Sequence, residues 1–286
     1  MSLMAMPLAG QTASLFSGTA VDPGRTHVSS DDRRPMASVA AGPGMEPWMW
    51  ALFAAHPILG KLSEQDQRAV LDRARVRTLK RHASIFRQGD PPGTVVLILE
   101  GYVKLSTLWA DGDAVCLEIA GPGACVGDLT VLLRRAHDTD ITAASTCRLL
   151  MIDGRQFRQV FDRQPEGLLA ILREVNIRLL RTTELLAAGR TLTATARLAK
   201  ALLDLAHVPP TGVNSLACLP LRLSQSELGA MTGVCREVVN KLLGQWRDEG
   251  WIQTSAGAVL SIDIPGMSEL VREEGDGGAN LRSISG

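Results

Sequence analysis

The hydrophobic pattern of this chain changes period near Pro165, and that change constrains its architecture more than any other feature. From Ile85 to Ile152, short apolar runs recur and are cut by glycine-rich turns. Val95–Leu99 reads as a continuous strand. Val103, Leu105 and Thr107 alternate with Lys104 and Ser106, and Val115, Leu117 and Ile119 alternate again. Ile141–Ala143 and Leu149–Ile152 complete the set. Gly89-Asp90-Pro91-Pro92-Gly93, Glu100-Gly101, Gly121-Pro122-Gly123 and Gly127 are turns, and Asp111-Gly112-Asp113 is a hairpin signal. Short strands at roughly ten-residue spacing predict a β-sandwich or barrel. After Pro165, Leu168, Ile171, Leu172, Val175, Leu179, Leu185 and Leu186 recur at helical steps. They predict a helix over about Pro165–Gly189, roughly 36 Å long at 1.5 Å per residue. One apolar seam on so long a helix needs a partner. Part of it covers the sandwich; the rest suits a second copy of the chain.

The flanks complete the layout. Residues 1–45 are rich in Pro, Gly, Ser, Ala and Thr without an apolar period, and are expected to be a disordered tail. Order is expected from Trp48, with a short helix Trp48–His56 ending before Pro57. Ser63 is an N-cap candidate for a second helix running to about Ala74. Arg68, Arg73, Arg75, Arg77, Lys80 and Arg81 read as a solvated basic face. Gly189 is expected to end the long helix, Thr193 to cap the next, Pro209-Pro210-Thr211-Gly212 to loop, and Leu219–Leu223 to form a strand. The expected units are therefore a β-sandwich or barrel domain over 46–164, a dimerisation helix and hinge over 165–192, a helical domain over 193–272, and a flexible tail over 273–286.

The helical domain carries the most specific pattern. Ser224-Gln225-Ser226-Glu227 is a capping box, with a hydroxyl at the N-cap and a carboxylate three residues on. A short helix follows to Met231, then the turn Thr232-Gly233-Val234, with Gly233 free to take positive φ. A second helix runs from Arg236 to Glu249 and stops at Gly250. Val239, Leu242, Leu243 and Trp246 fall on one side of it; Arg236, Glu237, Asn240, Lys241 and Gly244 fall on the other. A hairpin follows, from Trp251–Thr254 through Ser255-Ala256-Gly257 to Ala258–Ile262. Helix, glycine turn, helix and hairpin predict a winged helix-turn-helix. Arg236 suits a bidentate contact with guanine, and Glu237 suits a cytosine amino group. Lys241 is placed to reach a base or a phosphate, with Asn240, Ser224 and Gln225 on the same approach.

The 30 basic and 30 acidic residues cancel among 286. A nucleic-acid footprint therefore has to be a local basic face rather than a global charge. Five cysteines, odd in number and without C-x-x-C spacing, predict free thiols in a reducing compartment, hence the cytoplasm. No run reaches a membrane span, and no charged leader precedes an apolar stretch. No phosphate loop, nucleophile motif or metal constellation appears, so no enzymatic activity is expected. The competing reading is a ligand-sensing signalling module whose C-terminal helical domain binds a protein. The outward polar set of the second helix and the hairpin argue against it.

These residues resemble the Crp/Fnr family of bacterial transcription regulators. The resemblance covers about residues 48–270. It is carried most specifically by Ile85-Phe86-Arg87-Gln88-Gly89-Asp90, Gly127-Asp128-Leu129 and Leu223–Leu243. It implies an α+β chain with a cyclic-nucleotide-binding-type β jelly roll, a long dimerisation helix and a C-terminal winged helix-turn-helix. It also implies a homodimer on a palindromic operator in double-stranded DNA and contact with RNA polymerase. Arg236, Glu237 and Lys241 match the family's base-reading positions, with Lys241 where Arg is common. Cys235 stands where Ser or Thr usually caps the recognition helix. Relatives that bind cyclic AMP carry Gly-Glu, then Arg-Ser about ten residues on. Here Gly127-Asp128 and His137-Asp138 take those places, and Thr182 and Thr183 fall where the long helix completes the pocket. An anionic cyclic phosphate is therefore poorly served, and cyclic AMP is not the expected ligand. The clustered N-terminal cysteines of the iron–sulfur branch are missing, so that cofactor is not expected. His56 and His82 are candidate haem ligands but read better as surface histidines.

Overall fold

The computed structural model describes residues 46–108, 114–163, 165–206 and 216–280. The expected N-terminal tail, the hairpin turn at 111–113 and the loop at 209–212 lie outside the described residues.

In chain order the elements are α1 (Pro47–Ala55), a 3-10 turn (Leu59–Lys61), α2 (Glu64–Leu71), β1 (Arg75–Leu79), β2 (Ser84–Phe86), β3 (Thr94–Glu100), β4 (Val103–Leu108), β5 (Ala114–Ala120), β6 (Cys125–Val126), α3 (Asp128–Leu133), β7 (Asp140–Ala143), β8 (Cys147–Asp153), α4 (Gly154–Phe161), α5 (Pro165–Thr191), α6 (Ala194–Leu205), β9 (Leu216–Cys218), α7 (Gln225–Thr232), α8 (Arg236–Asp248), β10 (Ile252–Ser255), β11 (Ala258–Asp263) and α9 (Ile264–Asn280).

Two antiparallel four-stranded sheets, ordered β1-β8-β3-β6 and β2-β7-β4-β5, form the jelly roll. β3 is buried along almost its whole length, as its unbroken apolar run requires. Val96, Ile98, Val103, Ile141 and Leu149 fill the space between the sheets. The other face of β3 and β8 is covered by α1, the 3-10 turn, α2 and α4, through Phe53, Leu59, Val70, Phe157 and Phe161.

α5 runs 27 residues and leaves the sandwich. Ala170 and Ile171 pack on the sensor core, but Leu168, Leu172, Leu179, Leu180, Leu185 and Leu186 are more than half exposed. A third sheet, β10-β11-β9, closes the C-terminal domain against α6–α9.

Several local expectations are corrected. Helix α2 stops at Leu71 rather than about Ala74, and the basic stretch beyond it, Arg75–Leu79, is β1, an edge strand paired with β8. Arg75 and Arg77, two residues apart, are both exposed, and charge on an edge strand discourages edge-to-edge pairing. Gly189 does not end α5, which continues to Thr191; the stop falls where the Thr193 hydroxyl caps α6 by accepting from the Ala196 N–H. The strand expected at Leu219–Leu223 lies earlier, at Leu216–Cys218, because that segment pairs with β11. α3 and α4 were not expected. The helix α9 runs beyond residue 272 to Asn280 rather than giving way to a tail at 273. Met267, Leu270 and Val271 anchor its first half in the C-terminal core.

Candidate functional site

The capping box forms as expected. The Ser224 Oγ accepts from the Glu227 N–H at 3.2 Å, and Glu227 Oε2 accepts from the Ser224 N–H at 2.8 Å. Burial raises the pKa of Glu227, but the Ser224 hydrogen bonds, with Arg81 and Lys104, outweigh it and hold the carboxyl below its ordinary value. Gly233 takes φ +64° at the end of α7, which turns the chain into α8. Val239, Leu242, Leu243 and Trp246 are buried, while Arg236, Glu237, Asn240 and Lys241 are exposed along one face. The Gln225 Nε2 donates to Asn240 Oδ1 at 2.8 Å. Cys235 makes no side-chain cap bond, as expected of a thiol at that position. Ala256 and Gly257, both at positive φ, form the two-residue turn of the β10–β11 wing.

The sensor domain and the helix-turn-helix touch directly. Cys116, Ile119 and Ala144 share one apolar cluster with Leu228 and the C-terminal core. Arg81, in the β1–β2 turn, lies 3.2 Å from Glu227 Oε2. Reading the Arg81 region as plain solvated surface missed this contact, which joins residues far apart in sequence.

A cavity of about 490 Å³ opens between the jelly roll and α5. Gly127, Asp128, His137, Asp138 and Thr182 all line it. Gly127 sits at φ +79°, and a Cβ there would come within 2.9 Å of the Thr94 carbonyl oxygen, so only glycine fits. Asp128 is buried and receives two hydrogen bonds from Arg178 of α5, at 3.2 and 3.1 Å. Burial lowers the pKa of Arg178, but the Asp128 charge and hydrogen bond outweigh it and raise it. Sequence reasoning missed Arg178, although its spacing four residues before Thr182 puts both on one helix face.

Thr183 does not join the cavity. One residue on from Thr182, it is turned roughly 100° around the helix, and its exposed hydroxyl donates to the Leu179 carbonyl. His137 is buried and stacked on Phe86 with centroids 4.1 Å apart. Its Nε2 has no hydrogen-bond partner among the described residues. Burial lowers its pKa, against the pull of Asp90 and Asp138. Arg135, Arg181, Glu118 and Glu174 also line the cavity.

His56, expected at the surface, is buried at the cavity wall. Its Nδ1 accepts from the N–H groups of Ile58 and Leu59, both at 3.2 Å. Among the described residues no group of three or more His, Cys, Asp and Glu is arranged to hold a metal, and no helix is long and apolar enough to cross a membrane.

A jelly roll with a ligand-sized cavity, a long helix and an exposed polar recognition helix define a sensor-coupled DNA-binding regulator. Residues 76–164 match the cyclic nucleotide-binding domain family, and residues 196–272 match the Crp-like helix-turn-helix domain family. The CRP-like cAMP-activated global transcriptional regulator of Mycobacterium tuberculosis is 29% identical over 189 residues, 66% of this chain and 84% of that protein. The transcriptional regulator SdrP of Thermus thermophilus is 27% identical over 213 residues, covering 70% and 99%. A solved CRP/FNR-family regulator, also from Thermus thermophilus, superposes with a TM-score of 0.56 at 25% identity, covering 70% of this chain and all of the other. The c-di-GMP-responsive global regulator CLP of Xanthomonas campestris shares the fold, with a TM-score of 0.58 at 24% identity over 69% and 98%. The chain belongs to the Crp/Fnr family and is a DNA-binding transcription regulator.

Burial pushes His56 down to about 4 from 6.5. Between those values only the unfolded chain takes the proton, so stability falls as pH falls through that window, by up to about 3 kcal/mol. In urea titrations the wild type should lose more stability from about pH 7 to pH 4.5 than His56→Asn, which keeps an acceptor but does not titrate. Equal losses would remove His56 as the cause.

Proposed function

We propose that the chain acts as a cytoplasmic homodimer that reads a palindromic operator in double-stranded DNA through Arg236, Glu237, Asn240 and Lys241. Ser224 and Gln225 flank that surface, and the dimer contacts RNA polymerase in the manner the family implies. It has no catalytic role; its output is occupancy of DNA. The observation that carries this reading is the exposed polar face of α8 over a buried Val239, Leu242, Leu243 and Trp246. Helices of this kind insert their N-terminal turns into the major groove. Arg236→Ala should cost about 1–3 kcal/mol in operator binding and relax specificity at one base in each half-site. Binding of the same operator unchanged, in a gel-shift titration, would reject the assignment of α8.

The exposed leucines of α5 support a dimer about that helix. Leu179 alone is 61% exposed in the single chain, and an apolar row of this length is covered by a matching row. Leu179→Asp should shift the protein from dimer to monomer in sedimentation at micromolar concentration. A monomeric wild type would refute the seam.

The sensor cavity serves a ligand other than cyclic AMP. Asp128 already holds Arg178, and the other cations lining the cavity, Arg135 and Arg181, share it with the carboxylates of Glu118, Asp138 and Glu174. A buried phosphate needs an unshared, well-directed cation. At the family's phosphate position stand His137, buried against Phe86, and the carboxylate of Asp138. Calorimetry with cyclic AMP should give no binding in the low micromolar range. Low micromolar affinity coupled to operator binding would overturn this.

A further inference from the structure

We propose that Gln225 and Asn240 read one base pair together, as a single donor–acceptor unit built from two helices. This deepens, and rests on, the reading of α8 as the recognition helix. Gln225 is the first residue of α7, next to the capping serine. Asn240 lies in the second turn of α8, three residues from Glu237 and four from Arg236, so all three share the exposed face.

Each side-chain amide carries one carbonyl acceptor and one NH2 donor. An exposed asparagine on a recognition helix ordinarily uses both on adenine, accepting from N6–H and donating to N7. Here the Asn240 carbonyl is engaged by Gln225 Nε2 at 2.8 Å. Asn240 therefore keeps its NH2 to offer, and the matching acceptor is the free carbonyl of Gln225. Turning both amides over exchanges the roles but still leaves one outward carbonyl and one outward NH2. Either way the pair presents the complement of the adenine major-groove edge, which needs an acceptor beside a donor. It also holds both long side chains in place before DNA arrives, which lowers the ordering cost of binding. A Gln225 that only touched a phosphate would add affinity without regard to sequence.

The test is selection of binding sites from random duplex DNA by the full-length wild type, Gln225→Ala, Asn240→Ala and the double variant, with melting curves as a folding control. The wild type should select a palindrome with adenine at one defined position in each half-site. Each single variant should relax that same position and lose about tenfold or more on the adenine operator. The double variant should be little worse than either single one, because the two side chains form one unit. The proposal falls if Gln225→Ala weakens all sequences uniformly and leaves the selected site unchanged. It also falls if the two variants relax different base pairs, or if their losses add. A wild type that selects no palindrome overturns the recognition-helix reading along with it, whereas a palindrome lost on Arg236→Ala but indifferent to Gln225 overturns the pair alone.

Discussion

Asp128 lies inside the protein at the start of α3 with a full carboxylate to satisfy, and Arg178 reaches in from α5 to satisfy it. A carboxylate left alone at such depth is costly, and breaking a buried pair by removing one partner typically costs about 3–5 kcal/mol. The pair is therefore less a source of stability than a specification. It sets the rotation and height of α5 against the jelly roll, since one guanidinium must meet both oxygens and also donate to the Cys125 carbonyl. Once that register is set, the rest follows. Ala170 and Ile171 turn onto the sandwich, and the leucines of the opposite faces turn outward. The far end of the same helix delivers α6 and the DNA-reading domain. The left-handed turn at Gly127, where no side chain fits, leads directly into Asp128 and the start of α3.

The parts of this arrangement that were legible in advance are those in which local chemistry and tertiary structure agree. Ser224 and Glu227 close a box within one turn, Gly233 supplies a left-handed turn, and the apolar face of α8 has a helical period long enough to be unmistakable. Long-range pairing was not legible. The polar–apolar alternation in Arg75-Val76-Arg77-Thr78 is too short to stand out as a strand until β8 lies beside it, and Arg178 looks like any surface arginine until Asp128 is folded underneath. His56 reads as exposed because histidines usually are. Its burial depends on two backbone N–H groups that converge on Nδ1 only after the chain turns at Pro57. Thr182 and Thr183 are adjacent in sequence but face different surroundings, a distinction visible only once the cavity exists.

A chain with no net charge can still present a DNA-binding face, because recognition depends on where charge is exposed rather than on its sum. Three acidic groups elsewhere are held in internal contacts. Glu227 is bound by Ser224 and Arg81, Asp128 by Arg178, and Asp153 caps α4 through the N–H groups of Arg155 and Gln156. Arg236 and Lys241, in contrast, stand exposed on the outward face of α8.

The hairpin of β4 and β5 contains one irregularity with a wider effect. Leu105 pairs with Glu118, but Ser106 pairs with Cys116, so Leu117 is an extra residue in β5. In a regular strand Leu117 and Ile119 would point the same way. The bulge resets the phase. Leu117 and Glu118 both turn to the cavity, while Cys116 and Ile119 join the apolar cluster that includes Leu228 of α7. Four consecutive residues of one strand, Cys116–Ile119, thus form a shared partition, with the sensor chamber on one side and the floor of the DNA-reading domain on the other. The two compartments are therefore opposite faces of the same wall.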